Sequence, residues 1–421
     1  MSSETIELIH AAGAEQNSRF YRQSSWMMAT SVGSGVLMSL VHILSKFIPD
    51  TEYAAFGTLL QFLNWITIPA IGLAGTFAQQ TSAVTTPAQK RQLVGTIRAV
   101  MLGTCGIWLV LFFVCVGFQS YLLGSLKISN PAALWITIVL GLVMLWLPIT
   151  MGLLQGRQNF LWLGWASVFN GAGRILLAAF IVLVLGGWAA GIMVGAFLGA
   201  SAALFVGFWH NRDLFSAEGD RPHLGPWLRR IIPFSLGCGV SQFLFSADLI
   251  AVQTNLTGTA PYVFGGTLAR ALVLFTSPLV AVMFPKVVHS VARNQKTDLM
   301  LLTLGLTAVL AAIGALGLTF GSPLLIKLLS KEAYVSFVPL MPLFAFSMVP
   351  LALGNVLMNN LMARSRFECV PALVLIAVGY WIALQFFHDS FRTVIQVLGL
   401  FNLIYLATCA FYTWVWPRKK T

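Results

Sequence analysis

Apolar residues run along this chain in long blocks separated by short polar breaks. A helix that spans a bilayer needs about 20 predominantly apolar residues. Twelve blocks of that size can be drawn, at roughly 24–48, 54–83, 94–122, 132–154, 159–186, 188–210, 228–254, 261–289, 298–320, 335–362, 367–387 and 392–416. The short alternating segments of a closed β-barrel are absent. The pattern predicts an all-α polytopic membrane protein of about 12 transmembrane helices. After the N-terminal region, the longest polar break is NRDLFSAEGDRPHLGP at 211–226, between runs 6 and 7. It predicts an N-terminal six-helix bundle over 1–212, a cytoplasmic linker over 213–226 and a C-terminal six-helix bundle over 227–421.

The halves resemble each other. SVGSGV at 31–36 opens run 1 and SLGCGV at 235–240 opens run 7. YAAFGTLLQFLNWITIP at 53–69 then matches YVFGGTLARALVLFTSP at 262–278 without a gap. Tyr53, Gly57, Thr58, Leu59, Thr67 and Pro69 fall on Tyr262, Gly266, Thr267, Leu268, Thr276 and Pro278. With six runs per half, both copies enter from the same side, as parallel repeats about an axis along the membrane normal. The expected architecture is V-shaped with a central cavity. Prolines 69, 148, 233, 278, 285, 342, 350 and 371 are expected to kink their helices, Pro69 and Pro278 above all because they repeat.

Composition agrees with the pattern. Of 421 residues, 58% are hydrophobic and 9% charged, and the mean hydropathy is +0.83; soluble domains carry about 25% charged residues. The first 21 residues contain Glu4, Glu7 and Glu15 and no apolar core, so they do not read as a secretory signal peptide. Five cysteines sit in apolar runs without metal-ligand spacing and read as small packing residues.

The net charge of +12 is topological rather than nucleic-acid-binding. With the N-terminus inside, 18 Lys and Arg fall in cytoplasmic segments and five (Lys46, Lys127, Lys327, Lys331, Arg392) in outer ones. Arg174 and Arg270 lie within runs. This is the positive-inside bias, and it predicts an inner-membrane protein with both termini cytoplasmic and no nucleic-acid partner.

Polar residues inside the runs are the candidate chemistry, because lipid cannot satisfy them. Ser241, Asp248 and Asn255 recur every seven residues in run 7 and share a helix face. Ser31, Gly35, Ser39, His42 and Lys46 follow helical spacing in run 1, and Ser167, Asn170 and Arg174 do so in run 5. Gln61 and Asn64 add to run 2, Asn355 and Asn359 to run 10. These faces line either a shared polar cavity or dry helix–helix contacts. Asp248 and Arg270 fall at similar depths on runs joined by a short outer turn, which predicts an ion pair. Arg174 has no acidic partner at its depth and suits an anionic group such as a phosphate. His42 is a candidate proton-linked switch, or a hydrogen-bonded histidine of structural use only. Glu368, beside Arg364 and Arg366, reads as interfacial.

The chain has no Walker-type phosphate loop, no paired catalytic carboxylates, no His/Cys cluster and no Gly-x-Ser-x-Gly elbow. No cofactor, metal or enzymatic activity is expected. The loop TTPAQKRQLVGT lacks the signature of a major facilitator.

SADLIAVQ at 246–253, followed by YVFGGTLARALVLFTSPLVAVMFPKVVHS at 262–290 in a two-half chain, resembles the MOP exporter superfamily. Among its branches the stretch is most similar to the polysaccharide, Wzx-type flippases of lipid-linked oligosaccharides. The resemblance implies alternating access and cavity arginines that hold a pyrophosphate, a part open here to Arg174 and Arg270. Gln61, Asn64, Asn170, Asn355 and Asn359 complete the candidate substrate site; Asp248 and His42 are candidates for ion pairing or for coupling to H+ or Na+. The implied partners are a lipid-linked glycan, membrane lipids and polysaccharide polymerase machinery. Run 1 has no deep arginine, which departs from lipid II flippases. The first half has no acid in the membrane core, which departs from drug/cation antiporters. A multidrug antiporter and a membrane-embedded polymerase or glycosyltransferase remain the alternatives.

Overall fold

The computed structural model describes residues 26–27, 29–30, 32–70, 72–82, 84–221, 224–292 and 299–416. Ser31, at the head of the run 1 stripe, lies outside them. So do the basic residues Arg19, Arg22, Arg293, Lys296, Arg418, Lys419 and Lys420.

Every run becomes helix, and no strand occurs among the described residues. The helices are α1 Val32–Lys46, α2 Asp50–Ile66, α3 Pro87–Gly117, α4 Pro131–Gly156, α5 Phe160–Leu185 and α6 Trp188–His210. The second half holds α7 Leu224–Asn255, α8 Ala260–Ala292, α9 Leu299–Leu329, α10 Glu332–Ala363, α11 Phe367–Phe386 and α12 Phe391–Val415. Among the described residues nine helices, α3 to α7 and α9 to α12, are long and apolar enough to cross a membrane.

Local chemistry sets several starts. Thr86 and Gln89 cap α3 reciprocally: the Thr86 hydroxyl accepts from Gln89 N at 3.3 Å, and Gln89 Oε1 accepts from Thr86 N at 3.1 Å. Asn130 caps α4 ahead of Pro131, and Ser390 caps α12.

The prolines divide by position. α2 stops at Ile66, and after a short 3-10 turn through Pro69 the chain resumes as Leu73–Ser82. α8, by contrast, runs unbroken through Pro278, so the repeated proline does not repeat the break. Pro371 was expected to kink a helix. It sits instead at the start of the α-helical part of α11, Val370–Phe386, after the 3-10 turn Phe367–Cys369, where its missing N–H forfeits no α-helical hydrogen bond.

Packing repeats between the halves. The segment after the α2 break packs on α4, as α8 packs on α10; α4 packs on α6, as α10 on α12; and α5 on α6, as α11 on α12. The seam between halves sets α1 and α2 against α7, α8 and α9. Gly57 permits one close approach there, since a Cβ on it would collide with Val263 Cγ1. Large apolar side chains cover the outward faces, including Leu102, Phe113 and Phe320, as hydrocarbon contact requires.

The segment after α6 is strapped down. Arg157 donates from both terminal nitrogens to the Asp213 carboxylate at 2.7 Å, and Lys90 adds a third contact at 3.2 Å. Arg98 donates to the carbonyls of Phe215 and Ala217. Asp220 N donates to the Arg91 carbonyl, and Gly95 leaves room for the Asp220 backbone. The first part of the expected linker is therefore laid along the start of α3. The hydrogen bonds from Arg157 hold the Asp213 carboxyl down at about 2 against the opposing effect of burial, with a lesser contribution from Lys90.

Candidate functional site

α7 and α8 carry the most enclosed polar group of the second half. Arg270 Nη2 donates to Asp248 Oδ1 at 2.7 Å and to Oδ2 at 2.6 Å. Arg270 Nε donates to the Phe245 carbonyl at 2.7 Å. Tyr262, from the first turn of α8, donates its hydroxyl to Asp248 Oδ2 at 2.6 Å. The guanidinium lies between the rings of Phe245 and Phe344, at 5.8 and 5.5 Å. Asp248 and Tyr262 are fully buried and Arg270 is 3% exposed. Three donor–acceptor contacts on the carboxylate and an opposite charge offset the desolvation that burial imposes. Gly266 makes the pocket possible, because a Cβ there would collide with Arg270 Nη1. Nη1 itself is buried without a hydrogen-bond partner.

The first half repeats this plan with other chemistry. Tyr53, in register with Tyr262, shares a hydrogen bond with His42 Nδ1 at 2.8 Å. The offset between the opening motifs at 31–36 and 235–240 would put Leu44 opposite Asp248. The tyrosine geometry assigns that place to His42, while Leu44 is buried in the apolar core. Gln61 stands at the register position of Arg270, and its Oε1 accepts from Asn64 Nδ2 at 2.9 Å. No carboxylate joins this group among the described residues. His42 instead lies within electrostatic range of Arg174.

Arg174 sits on a π turn, Gly173–Leu177, inside α5. Such turns are uncommon and gather at functional sites. The turn is held against α6 by backbone contact: a Cβ on Gly173 would collide with the Gly199 Cα. Arg174 makes no ion pair and no hydrogen bond among the described residues, and its Nε is buried unpartnered. One turn earlier, Asn170 Oδ1 is also buried without a partner. A buried donor and a buried acceptor, both unsatisfied on one stretch of helix, are an exception to the rule that such groups are paired.

Asn355 and Asn359 occupy different surroundings. Asn355 Oδ1 accepts from Ser241 and, at 3.3 Å, from Tyr405, which ties α10 to α7 and α12. Asn359 Nδ2 donates to the Asn355 carbonyl on its own helix at 2.8 Å. Asn355 is spent on a helix joint, and the Asn359 amide on its own helix.

Tyr53, Tyr262 and Gly266 carried no site role in the sequence pattern. The repeat had already set the two tyrosines in register, and that was the available signal. Glu52 likewise gave no signal: it is a buried acid at the head of α2 that accepts from Ser129 and from Ala189 N at 3.2 Å.

No family model and no curated protein matches the sequence. Solved structures do. A lipid II flippase, MurJ, in an inward closed conformation aligns at TM-score 0.70 and 14% identity, over 94% of this chain and 88% of that one. An outward-facing MATE-family multidrug resistance transporter of the MOP superfamily aligns at TM-score 0.60 and 14% identity, over 92% and 93%. The MATE multidrug transporter DinF-BH aligns at TM-score 0.61 and 14% identity, over 92% and 94%. At such identities the likeness establishes the fold, which is that of MOP-type transporters, and not the cargo.

Proposed function

We propose that the protein is a multi-pass transporter that flips a lipid-linked, polyprenyl-pyrophosphate oligosaccharide across the cytoplasmic membrane by alternating access, for cell-surface polysaccharide assembly. The observation that carries this reading is the sign of the charge left uncompensated. Asp248, the acid within run 7, is neutralised by Arg270 and capped by Tyr262. Arg174 has no acid among the described residues. A site whose spare charge is cationic suits an anionic cargo, and a guanidinium can hold a phosphate through two parallel bonds. Asn170, with its free carbonyl oxygen, suits a hydroxyl donor such as a sugar.

In this reading Arg174 is the primary contact for the pyrophosphate. Arg270 contributes at most its remaining donor, Nη1, once the site opens. Gln61 and Asn64 extend the polar wall on α2, and His42 is the group through which H+ coupling would run; Na+ is the alternative ion. Association with polysaccharide polymerase machinery belongs to the same proposal. A cation-coupled multidrug antiporter would use Asp248 as its ion-binding acid, and the closed Asp248–Arg270–Tyr262 group disfavours that role.

The test is glycan export, in cells or inverted vesicles, by Arg174→Ala and Arg174→Lys variants whose folding is checked by thermal unfolding. Export is expected to fall at least tenfold in Arg174→Ala with no loss of stability. Wild-type export by that variant would remove the anion clamp. Resistance to small organic cations on overexpression, lost in Asp248→Asn, would favour the antiporter instead.

A further inference from the structure

The end of the bundle remote from the strapped linker carries its own polar chemistry. Three lysines there reach from one half to a carbonyl at a helix end of the other. Lys46 Nζ donates at 2.5 Å to the carbonyl of Leu328, one residue before the end of α9. Lys127 Nζ donates to the carbonyl of Leu256, one residue past the end of α7. Lys331 Nζ donates at 2.7 Å to the carbonyl of Ile48, just past α1, and pairs with Asp50 Oδ1 at 2.6 Å. The Tyr334 hydroxyl joins Asp50 at 3.0 Å, and Gln253 Nε2 donates to the Leu126 carbonyl at 3.1 Å.

Lys46 and Lys127 share one physical logic, while Lys331 satisfies a turn carbonyl and the Asp50 carboxylate together. The last carbonyls of a helix have no partner within it and carry the negative end of its dipole. An ammonium group satisfies both at once. The bonds cross the seam in both directions, two from the first half and one from the second, so all of them break if the halves part at this end. The charge bias makes basic residues scarce here: five in all, of which three serve the seam. Lys46 and Lys127 are exposed and Lys331 is about a third exposed (29%), so each ammonium can exchange its carbonyl for water. A contact of that kind closes without locking.

We propose that Lys46, Lys127 and Lys331 form a latch that holds this end of the two halves shut, and that its release opens the end opposite the linker. The latch rests on the transporter reading only in requiring that the halves move. Because the groups are solvent-accessible, added salt screens them, and raised ionic strength shifts the equilibrium toward the open form.

The experiment reads the distance between halves. Spin labels are attached at Tyr121→Cys, on the short helix Gln119–Ser125 of the first half, and at Leu324→Cys on α9. Both side chains are exposed and neither belongs to the latch. The five native cysteines are replaced, and the protein is held in liposomes. In the Lys46→Gln, Lys127→Gln, Lys331→Gln triple variant the longer-distance population is expected to rise at least tenfold over wild type. Arginine at the same three positions restores the wild-type distribution. If the triple variant does not fold, Lys331→Gln and Asp50→Asn, each alone, are expected to shift the distribution the same way by a smaller factor. An unchanged distribution in the folded variants overturns the latch, whatever export does. A shift in a protein that exports no lipid-linked glycan supports the latch and counts against the flippase reading.

Discussion

Asp248 and Arg270 stand 22 residues apart in the chain and meet through one nitrogen, Arg270 Nη2, which lies within 2.7 Å of both carboxylate oxygens. The other terminal nitrogen, Nη1, faces Gly266 and has no partner. Among the described residues the pair is thus both the most enclosed ion pair and an incompletely satisfied one, and that imbalance sets how it responds to substitution.

Removing one partner leaves the other charged, buried and alone. Asp248→Ala and Arg270→Ala are each expected to lose about 3–5 kcal/mol of stability. Asp248→Leu with Arg270→Met and Tyr262→Phe is expected to recover most of that loss, because all three polar groups leave together. Thermal unfolding in detergent across this set checks it; single variants as stable as wild type would show that the pair is not closed in the membrane.

Gly266→Ala places a methyl group where Arg270 Nη1 now lies. In the wild-type background it is expected to cost about 1–3 kcal/mol, and in the Arg270→Ala background far less. The interaction term of that double-mutant cycle is the measurement. Additive effects would mean that the glycine serves some purpose other than the arginine.

The two register tyrosines should differ although they match in sequence. Tyr262→Phe removes a hydrogen bond to an ionised carboxylate and is expected to cost about 1.5–3 kcal/mol; Tyr53→Phe removes one to an imidazole and is expected to cost about 0.5–1.5 kcal/mol. Equal losses would mean that the carboxylate partner adds nothing to the bond beyond what an imidazole provides.

Asp213 gives the strap its pH range. Its carboxyl titrates at about 2 in the folded chain, below the ordinary value near 3.9. A depressed carboxyl contributes stability that is present above the unfolded value and lost as pH falls through the folded one. Protection of the 212–221 backbone against hydrogen exchange, corrected for intrinsic rate, is therefore expected to be flat from about pH 5 to 8. Asp213→Asn is expected to lower it throughout. Marked pH dependence in wild type would contradict the assignment.

The polar stripes were legible in the sequence because helical spacing alone puts Ser241 and Asp248, or Asn170 and Arg174, on one face. Their use was not. Asn355 and Arg174 read alike as buried polar groups, yet Asn355 is spent on Ser241 and Tyr405 while Arg174 has no partner among the described residues. Which of these holds depends on neighbours from other helices, and no spacing along one helix carries that information.

The sequence by itself determined the number of apolar runs and their helical character. Those follow from hydrophobic length, which is a property of segments taken singly. Only the tertiary structure decided what each matched position does. Gly57 and Gly266 are in register, but one admits Val263 across the seam and the other makes room for Arg270. Tyr53 and Tyr262 are in register, but one meets a histidine and the other a carboxylate. In the sequence the three lysines that close the far end read as outer-segment charges and, for Lys46, as part of the run 1 stripe. They become a latch because folding brings the ends of α1, α7 and α9 within reach of them, and a helix end attracts a cation only once it is there to be met.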